Sequence, residues 1–117
     1  MNNLGMIKIG VTGGIGSGKS VVCTLFRLHG IPVFDADKEA KLLNDTSVRI
    51  REKLTSYFGD NLYEEGKLNR QKLAALIFHD KRNLEVANSI IHPVLAERFM
   101  EWSRERSHCP FVAIDAA

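Results

Sequence analysis

The 117-residue sequence has few of the features that mark disulfide-rich, repeat, membrane-spanning or secreted proteins. It holds two cysteines and three prolines, and it contains no low-complexity segment and no repeat at a solenoid period. Its apolar runs are only a few residues long, far short of the ~20 residues that cross a bilayer. The first residues have neither the basic region nor the apolar core of a secretory signal. We therefore expect a cytoplasmic protein that has no membrane partner.

An excess of one charge is also missing. The net charge is only +2, and basic residues form no continuous run, so the charge pattern does not favour nucleic-acid binding. Acidic residues are absent from residues 1–34, which hold Lys8, Lys19 and Arg27. An acid-free opening segment suits an anionic ligand near the N-terminus, and chance explains the same pattern equally well.

The composition that remains is that of one globular domain. Hydrophobic residues make up 44% of the chain and charged residues 26%, and the length fits a single domain. Cys23 and Cys109 have no CxxC motif and no Cys/His cluster around them. They therefore favour structural thiols over a disulfide or a metal site.

Short β-rich runs alternate with helical patterns along the chain. We predict three strands, over residues 6–11, 31–34 and 111–115. Helices are predicted after the first strand and over most of residues 38–109, with a polar loop at 59–68 and a kink or restart at Pro93. Strands joined by helices predict a parallel sheet in a three-layer α/β fold.

The spacing of the strands predicts the organisation within this single domain, residues 1–117. The core sheet is assigned to residues 6–37 and 110–117. Residues 38–109 are too many for one crossover connection, so we interpret them as a mostly helical insertion over the carboxyl edge of the sheet, where ligands bind in such folds.

The glycine-rich segment after the first strand fits the phosphate-binding pattern G-x-x-x-x-G-K-[ST]. Its glycines let the backbone approach a phosphate, Lys19 offers an ammonium to the β- and γ-phosphates, and Ser20 offers a hydroxyl to Mg²⁺. A β-run before it and a helical pattern after it favour a nucleotide site over a plain glycine-rich turn. The predicted nucleotide-binding residues of this loop are Gly13, Gly14, Ile15, Gly16, Ser17, Gly18, Lys19 and Ser20.

Among proteins with such a loop, small kinases fit this chain. The guanine-reading pattern N-K-x-D of GTPases does not occur, and the chain is too short for a motor or transporter ATPase. Small P-loop kinases use the same loop for ATP, with Mg²⁺, and a carboxylate beside it to orient the acceptor hydroxyl.

Acidic residues follow two of the predicted strands. Asp35 and Asp37 come directly after the second strand, and they point the same way if the chain there is extended. We expect one of them to cap the next helix and the other to work on the acceptor hydroxyl. Asp115 ends the third strand, the position of an acid that contacts Mg²⁺ through water in P-loop proteins. The alternative is a purely structural role for Asp115.

Several segments together resemble dephospho-CoA kinases. They are residues 9–20 and 30–37, with Tyr-Phe-Gly at 57–59, Leu-Asn-Arg-x-x-Leu at 68–73 and Ile-His-Pro at 91–93. The resemblance implies transfer of the γ-phosphoryl group of Mg·ATP to the ribose 3′-hydroxyl of dephospho-CoA, the step that completes coenzyme A. It also implies that residues 38–109 form the substrate region.

The resemblance implies roles for single residues as well. Asp37 matches the family's catalytic acid, which acts with Lys19, and Asp35 is the structural or magnesium-shell member of the pair. Asp35, Asp37, Arg70 and His92 are assigned to the substrate. For Arg70 the alternative is a solvated residue at a helix start, and for His92 it is a structural histidine.

The sequence departs from the family at two points. Val21, which we include in the nucleotide-binding set, stands where members usually have Thr. Members also continue through further strands and an arginine-bearing lid, so we interpret the chain as an N-terminal portion without them. Two alternatives stay open: another nucleoside or nucleotide kinase, and a nucleotide-binding fragment without catalysis. The oligomeric state is not predicted.

Overall fold

The structure is a computed structural model that describes residues 6–13 and 18–116. It divides into two compact units, one formed by the residues up to Glu39 and from Arg98 onward, the other by Ala40–Glu97. Residues 98–109, which the sequence analysis grouped with the helical insertion, cluster with the first unit.

The elements follow one another in the order of an α/β chain. They are β1 (Ile7–Val11), α1 (Lys19–Leu28), β2 (Val33–Asp35), α2 (Ala36–Thr46), α3 (Val48–Phe58), a 3₁₀ turn (Asp60–Leu62), β3 (Tyr63–Glu64), β4 (Lys67–Leu68), α4 (Arg70–Phe78), α5 (Lys81–Arg104) and β5 (Phe111–Asp115). Among these described helices, none is both long and apolar enough to span a membrane.

The first unit contains a parallel sheet whose strands lie in the order β1-β5-β2. The last strand of the chain is therefore the central one. Val11, Asp115 and Asp35 are in register, so the carboxyl ends of all three strands form one row. The α/β fold with a parallel sheet, expected from the sequence, is confirmed.

Aromatic packing closes one side of this sheet. The side chain of Phe34 on β2 is buried, and its ring meets the rings of Phe99 and Trp102 on α5 edge to face, at centroid distances of 5.1 and 5.3 Å. Val112 and Ala113 of the central strand are fully buried. Burial of such large apolar surfaces is the main stabilising contribution to this unit.

The second unit has its own core, formed by residues of its helices and of a small hairpin. Its buried members are Ile50, Leu54, Leu62, Tyr63, Leu68 and Leu73. Two helices of this unit begin at side-chain caps: Ser47 Oγ accepts the N–H of Ile50 at 3.2 Å, and Asn69 Oδ1 accepts the N–H of Lys72 at 3.1 Å. These caps satisfy backbone donors that a helix start leaves free.

The structure corrects two sequence-based expectations for this region, the first in full and the second in part. Residues 59–68 are not a polar loop: a 3₁₀ turn leads into the β3–β4 hairpin, which reverses at Glu65 and Gly66, both with positive φ. Pro93 does not restart a helix, because α5 continues through it; the alternative, a kink at Pro93, stays a prediction. A proline removes one backbone donor, and the remaining hydrogen bonds of a 24-residue helix carry the element past it.

Candidate functional site

The glycine-rich segment joins β1 to α1 at the carboxyl edge of the sheet. Gly14, Ile15, Gly16 and Ser17, predicted to bind nucleotide, lie outside the described residues. The two glycines that bracket them have positive φ, 143° at Gly13 and 84° at Gly18. A Cβ at Gly18 would meet nothing within 4 Å, so the backbone conformation, and not crowding, requires glycine there.

The start of α1 has the composition of an anion site. The N-cap residue is Gly18, which has no side chain that could accept a hydrogen bond from the first backbone N–H groups of the helix. The first turn also contains no acidic residue. Lys19 and Ser20 are the first two residues of the helix, so their side chains stand at its positive end. Ser20 and Val21 border a shallow cavity of about 230 Å³ together with Thr24 and Leu25.

Lys19 forms an ion pair with Asp115, the last residue of β5. The Lys19 Nζ atom lies 2.6 Å from Asp115 Oδ1, and the two side chains are only 17% and 18% exposed. The close contact with the Asp115 carboxylate raises the pKa of Lys19 above its usual value, against a smaller opposing effect of burial. The ammonium is therefore charged at neutral pH.

Cys23 lies one helical turn beyond Lys19 and is 1% exposed. Burial raises the pKa of its thiol, with a further contribution from the negative charge of Asp115. A thiol held neutral in this way is a poor nucleophile, so Cys23 is a packing residue of α1.

The two aspartates at the junction of β2 and α2 lie in different environments. Asp35 is the final residue of the strand, and its Oδ1 accepts the backbone N–H of Lys38 at 3.1 Å, which caps α2. Asp37 is in the first turn of that helix and is exposed. Because the chain is helical from Ala36, the extended backbone that would point both carboxylates the same way is not present.

Asp37 acts on the phosphate-loop lysine at longer range. Its negative charge contributes to the raised pKa of Lys19, although Asp115 is the residue in contact. Lys19, Asp35, Asp37 and Asp115 thus share one edge of the sheet in the first unit. Their catalytic, substrate and metal roles stay predictions.

Arg70 and His92 belong to the second unit. Arg70 donates from Nη2 to the backbone oxygen of Lys41 at 3.0 Å and to Asp45 Oδ2 at 3.2 Å. The other oxygen of Asp45 accepts the N–H of Leu68. His92 is exposed on α5. The assignment of Arg70 and His92 to the substrate stays a prediction.

Sequence reasoning missed two contacts among these residues. It assigned Lys19 to the nucleotide phosphates and Asp115 to a magnesium contact without pairing the two, and it did not single out Asp45, which contacts Arg70. The first pairing follows from β5 lying beside β1, which the order of strands along the chain does not reveal. For Asp45 no sequence signal exists, since an acid late in a helix is ordinary.

Comparison with known proteins shows to which family this chain belongs. The family model for dephospho-CoA kinase (CoaE) matches residues 7–116. The chain belongs to the dephospho-CoA kinase family. Among curated members, the dephospho-CoA kinase of Porphyromonas gingivalis is 52% identical over 104 residues, which are 89% of this chain and 50% of that protein. That of Bacteroides fragilis (strain YCH46) is 40% identical over 111 residues, 95% of this chain and 54% of that protein.

Two solved structures share the fold of this chain. TT1252 from Thermus thermophilus matches with a TM-score of 0.77 and 35% identity, over 94% of this chain and 55% of that one. Dephospho-CoA kinase from Campylobacter jejuni matches with a TM-score of 0.67 over 93% of this chain and 55% of that one; at 18% identity it supports the fold alone. The chain spans about half the length of the curated relatives it matches.

Proposed function

We propose that this chain carries the nucleotide-binding part of a dephospho-CoA kinase, which transfers the γ-phosphoryl group of ATP to the ribose 3′-hydroxyl of dephospho-CoA. The observation that carries the proposal is the position of Lys19 at the first turn of α1, beside the row of strand ends that bears Asp35 and Asp115. Membership of the family supports the choice of acceptor.

The nucleotide phosphates would lie against the segment from Gly13 to Val21. Donors at the start of α1 and the ammonium of Lys19 favour negative charge there. Mg²⁺ prefers oxygen ligands and keeps several waters when it binds with substrate phosphates, and the Ser20 hydroxyl is a donor of that kind. Asp115 is a second oxygen donor at the same edge. A bound Mg²⁺ would neutralise charge on the transferred phosphoryl group.

Asp37 is the residue we assign to the acceptor hydroxyl. In the transfer, the 3′-oxygen forms a bond to the γ-phosphorus while the bond from that phosphorus to the bridging oxygen of ADP breaks. The exposed Asp37 carboxylate orients the hydroxyl and accepts its proton, because Asp35 is already engaged as a helix cap. Arg70 and His92 are proposed to contact the substrate.

Binding of nucleotide to the 117-residue chain is the first test. We expect ADP to bind to the wild-type chain in calorimetry, and the Lys19→Ala variant to lose about tenfold or more in affinity, since a charge-assisted hydrogen bond contributes ~1.5–3 kcal/mol. Lys8→Ala, which removes the same charge from an exposed position on β1, is the matched control. Equal affinity of both variants for ADP would contradict a phosphate site at Lys19.

Phosphoryl transfer is tested in a chimera. Residues 1–117 replace the matching segment of the P. gingivalis relative, and ADP release is measured with dephospho-CoA and with a panel of nucleosides and nucleotides. In the presence of ATP, we expect dephospho-CoA to be the only acceptor in the panel that supports ADP release. Preference for another acceptor would favour a different small kinase, and loss of turnover in a folded chimera would favour a nucleotide-binding fragment.

A further inference from the structure

The ion pair between Lys19 and Asp115 engages the same ammonium that a nucleotide phosphate requires. We propose that Asp115 and the bound phosphate compete for Lys19, so that this carboxylate lowers the affinity of the loop for nucleotide. The inference rests on the proposed function, in which the segment from Gly13 to Val21 binds phosphates. It gives Asp115 a role that acts through Lys19 and needs no metal ion.

The contact is less exposed to solvent than the other ion pairs of the described residues. Its atoms are 2.6 Å apart, and each side chain is more than four-fifths removed from solvent. Charge pairs that are withdrawn from water are screened less than exposed ones, which contribute little. A phosphate therefore has to outcompete a short, charge-assisted contact for the ammonium.

Rigid elements hold both partners in place. Asp115 ends the central strand β5 in register with Val11, and Lys19 is the first residue of α1. A phosphate bound at the start of α1 would bring a second negative charge toward this carboxylate. The carboxylate thus opposes binding twice, because it offsets the positive charge of Lys19 and because it repels the anion.

Asp115 differs in this respect from the other carboxylates of the same edge. Asp35 is turned to the backbone of Lys38, and Asp37 affects Lys19 through space only. The contact also has an effect that favours binding. It orders the Lys19 side chain in advance, so that less conformational entropy is lost when a ligand binds. We place the balance on the side of competition, because the ammonium is held 2.6 Å from a carboxylate whose charge opposes the approach of the phosphate.

The test measures phosphate binding without metal. ADP and pyrophosphate are titrated by calorimetry, in buffer with EDTA, into the wild-type chain and into Asp115→Asn. We expect about tenfold tighter binding to the variant, the size of one charge-assisted contact. Glu39→Gln is the matched control: it makes the same carboxylate-to-amide change in the same unit, at a residue paired with Arg98, and should change affinity less than twofold.

A thermodynamic cycle separates action through Lys19 from general charge. In a Lys19→Gln background the gain from Asp115→Asn should shrink to a few-fold or less. Asp115→Ala provides a second variant with the same expected direction, and circular dichroism verifies the fold of each. Unchanged or weaker binding by folded Asp115 variants would overturn the inference, and weaker binding would identify Asp115 as an aid to Lys19. Failure of the wild-type chain to bind either probe would instead contradict the proposed function, and the inference with it.

Discussion

Two aspartates only two residues apart are assigned different work at the end of β2. Asp35 is bound to the backbone of α2, and Asp37 is exposed in the first turn of that helix. In the chimera, Asp37→Asn is expected to lower kcat about 10²-fold or more, since general-base or orienting groups contribute at least that much. ADP affinity, measured by calorimetry, should change little.

Asp35→Asn is the matched control for that prediction. Asn is as good an N-cap as Asp, so the variant keeps the start of α2 while it removes the same charge. Its kcat should stay within a few-fold of the wild-type value. A loss at Asp35 with none at Asp37 would show that the catalytic acid has been assigned to the wrong residue.

Both cysteines are free thiols, as their isolation in the sequence suggested, and the structure shows that they differ in exposure. Cys23 is almost fully buried and its thiol pKa is raised, whereas Cys109 is half-buried. We expect one thiol of the native chain to react with a disulfide reagent within minutes and the second only on unfolding. Cys109→Ser should abolish the fast reaction and Cys23→Ser should leave it; two equal rates would contradict the burial of Cys23.

At the scale of elements, the hairpin of the second unit depends on one buried tyrosine. The Tyr63 hydroxyl donates to the backbone oxygen of Asn44 at 2.7 Å, and burial raises the pKa of Tyr63 above its usual 10. Tyr63→Phe should lower the free energy of unfolding by about 1 kcal/mol, the contribution of one hydrogen bond. Tyr57→Phe, at a half-exposed tyrosine, should leave it unchanged.

The same tyrosine predicts a dependence of stability on pH. Because the pKa of Tyr63 is raised in the folded state, folding favours the neutral phenol. The contribution of Tyr63 to the free energy of unfolding is therefore complete below pH 10, and it is lost as the pH rises through the pKa of the folded state. Denaturant unfolding from pH 8 to pH 11 should show this loss in the wild-type chain and a smaller one in Tyr63→Phe. Identical profiles would show that Tyr63 does not carry the effect.

Sequence patterns among neighbouring residues predicted most of the helices and strands. They did not predict contacts between residues that are far apart along the chain. The strand before the glycine-rich segment, helix α3 and the Asn69 cap follow from residues that are neighbours along the chain. The β3–β4 hairpin was missed because each strand is two residues long, too short for an alternating pattern. The Lys19–Asp115 pair depends on which strands are neighbours in the sheet.

At the scale of the whole molecule, two exposed surfaces stand out among the described residues: the outer edge of strand β1 and an apolar face of helix α1. In the described part of the chain, β1 pairs with β5 alone. Ile7 on β1 is 53% exposed, and Val21, Leu25 and Leu28 on α1 are 63%, 49% and 76% exposed. A parallel sheet is normally covered on both faces, and an open strand edge is a template for pairing with another chain.

This surface predicts that the 117-residue chain is marginally stable or associates with itself. The sedimentation coefficient should rise with protein concentration, because apolar area and unpaired backbone groups are removed from water in the associated form. Leu28→Glu should reduce the association, since it places a charge on the exposed face of α1. Leu42→Glu makes the same change at another exposed leucine, outside the first unit, and should leave the association intact. A chain that stays monomeric at all concentrations, with an unfolding free energy within the usual 5–15 kcal/mol, would show that the exposed edge and face need no cover.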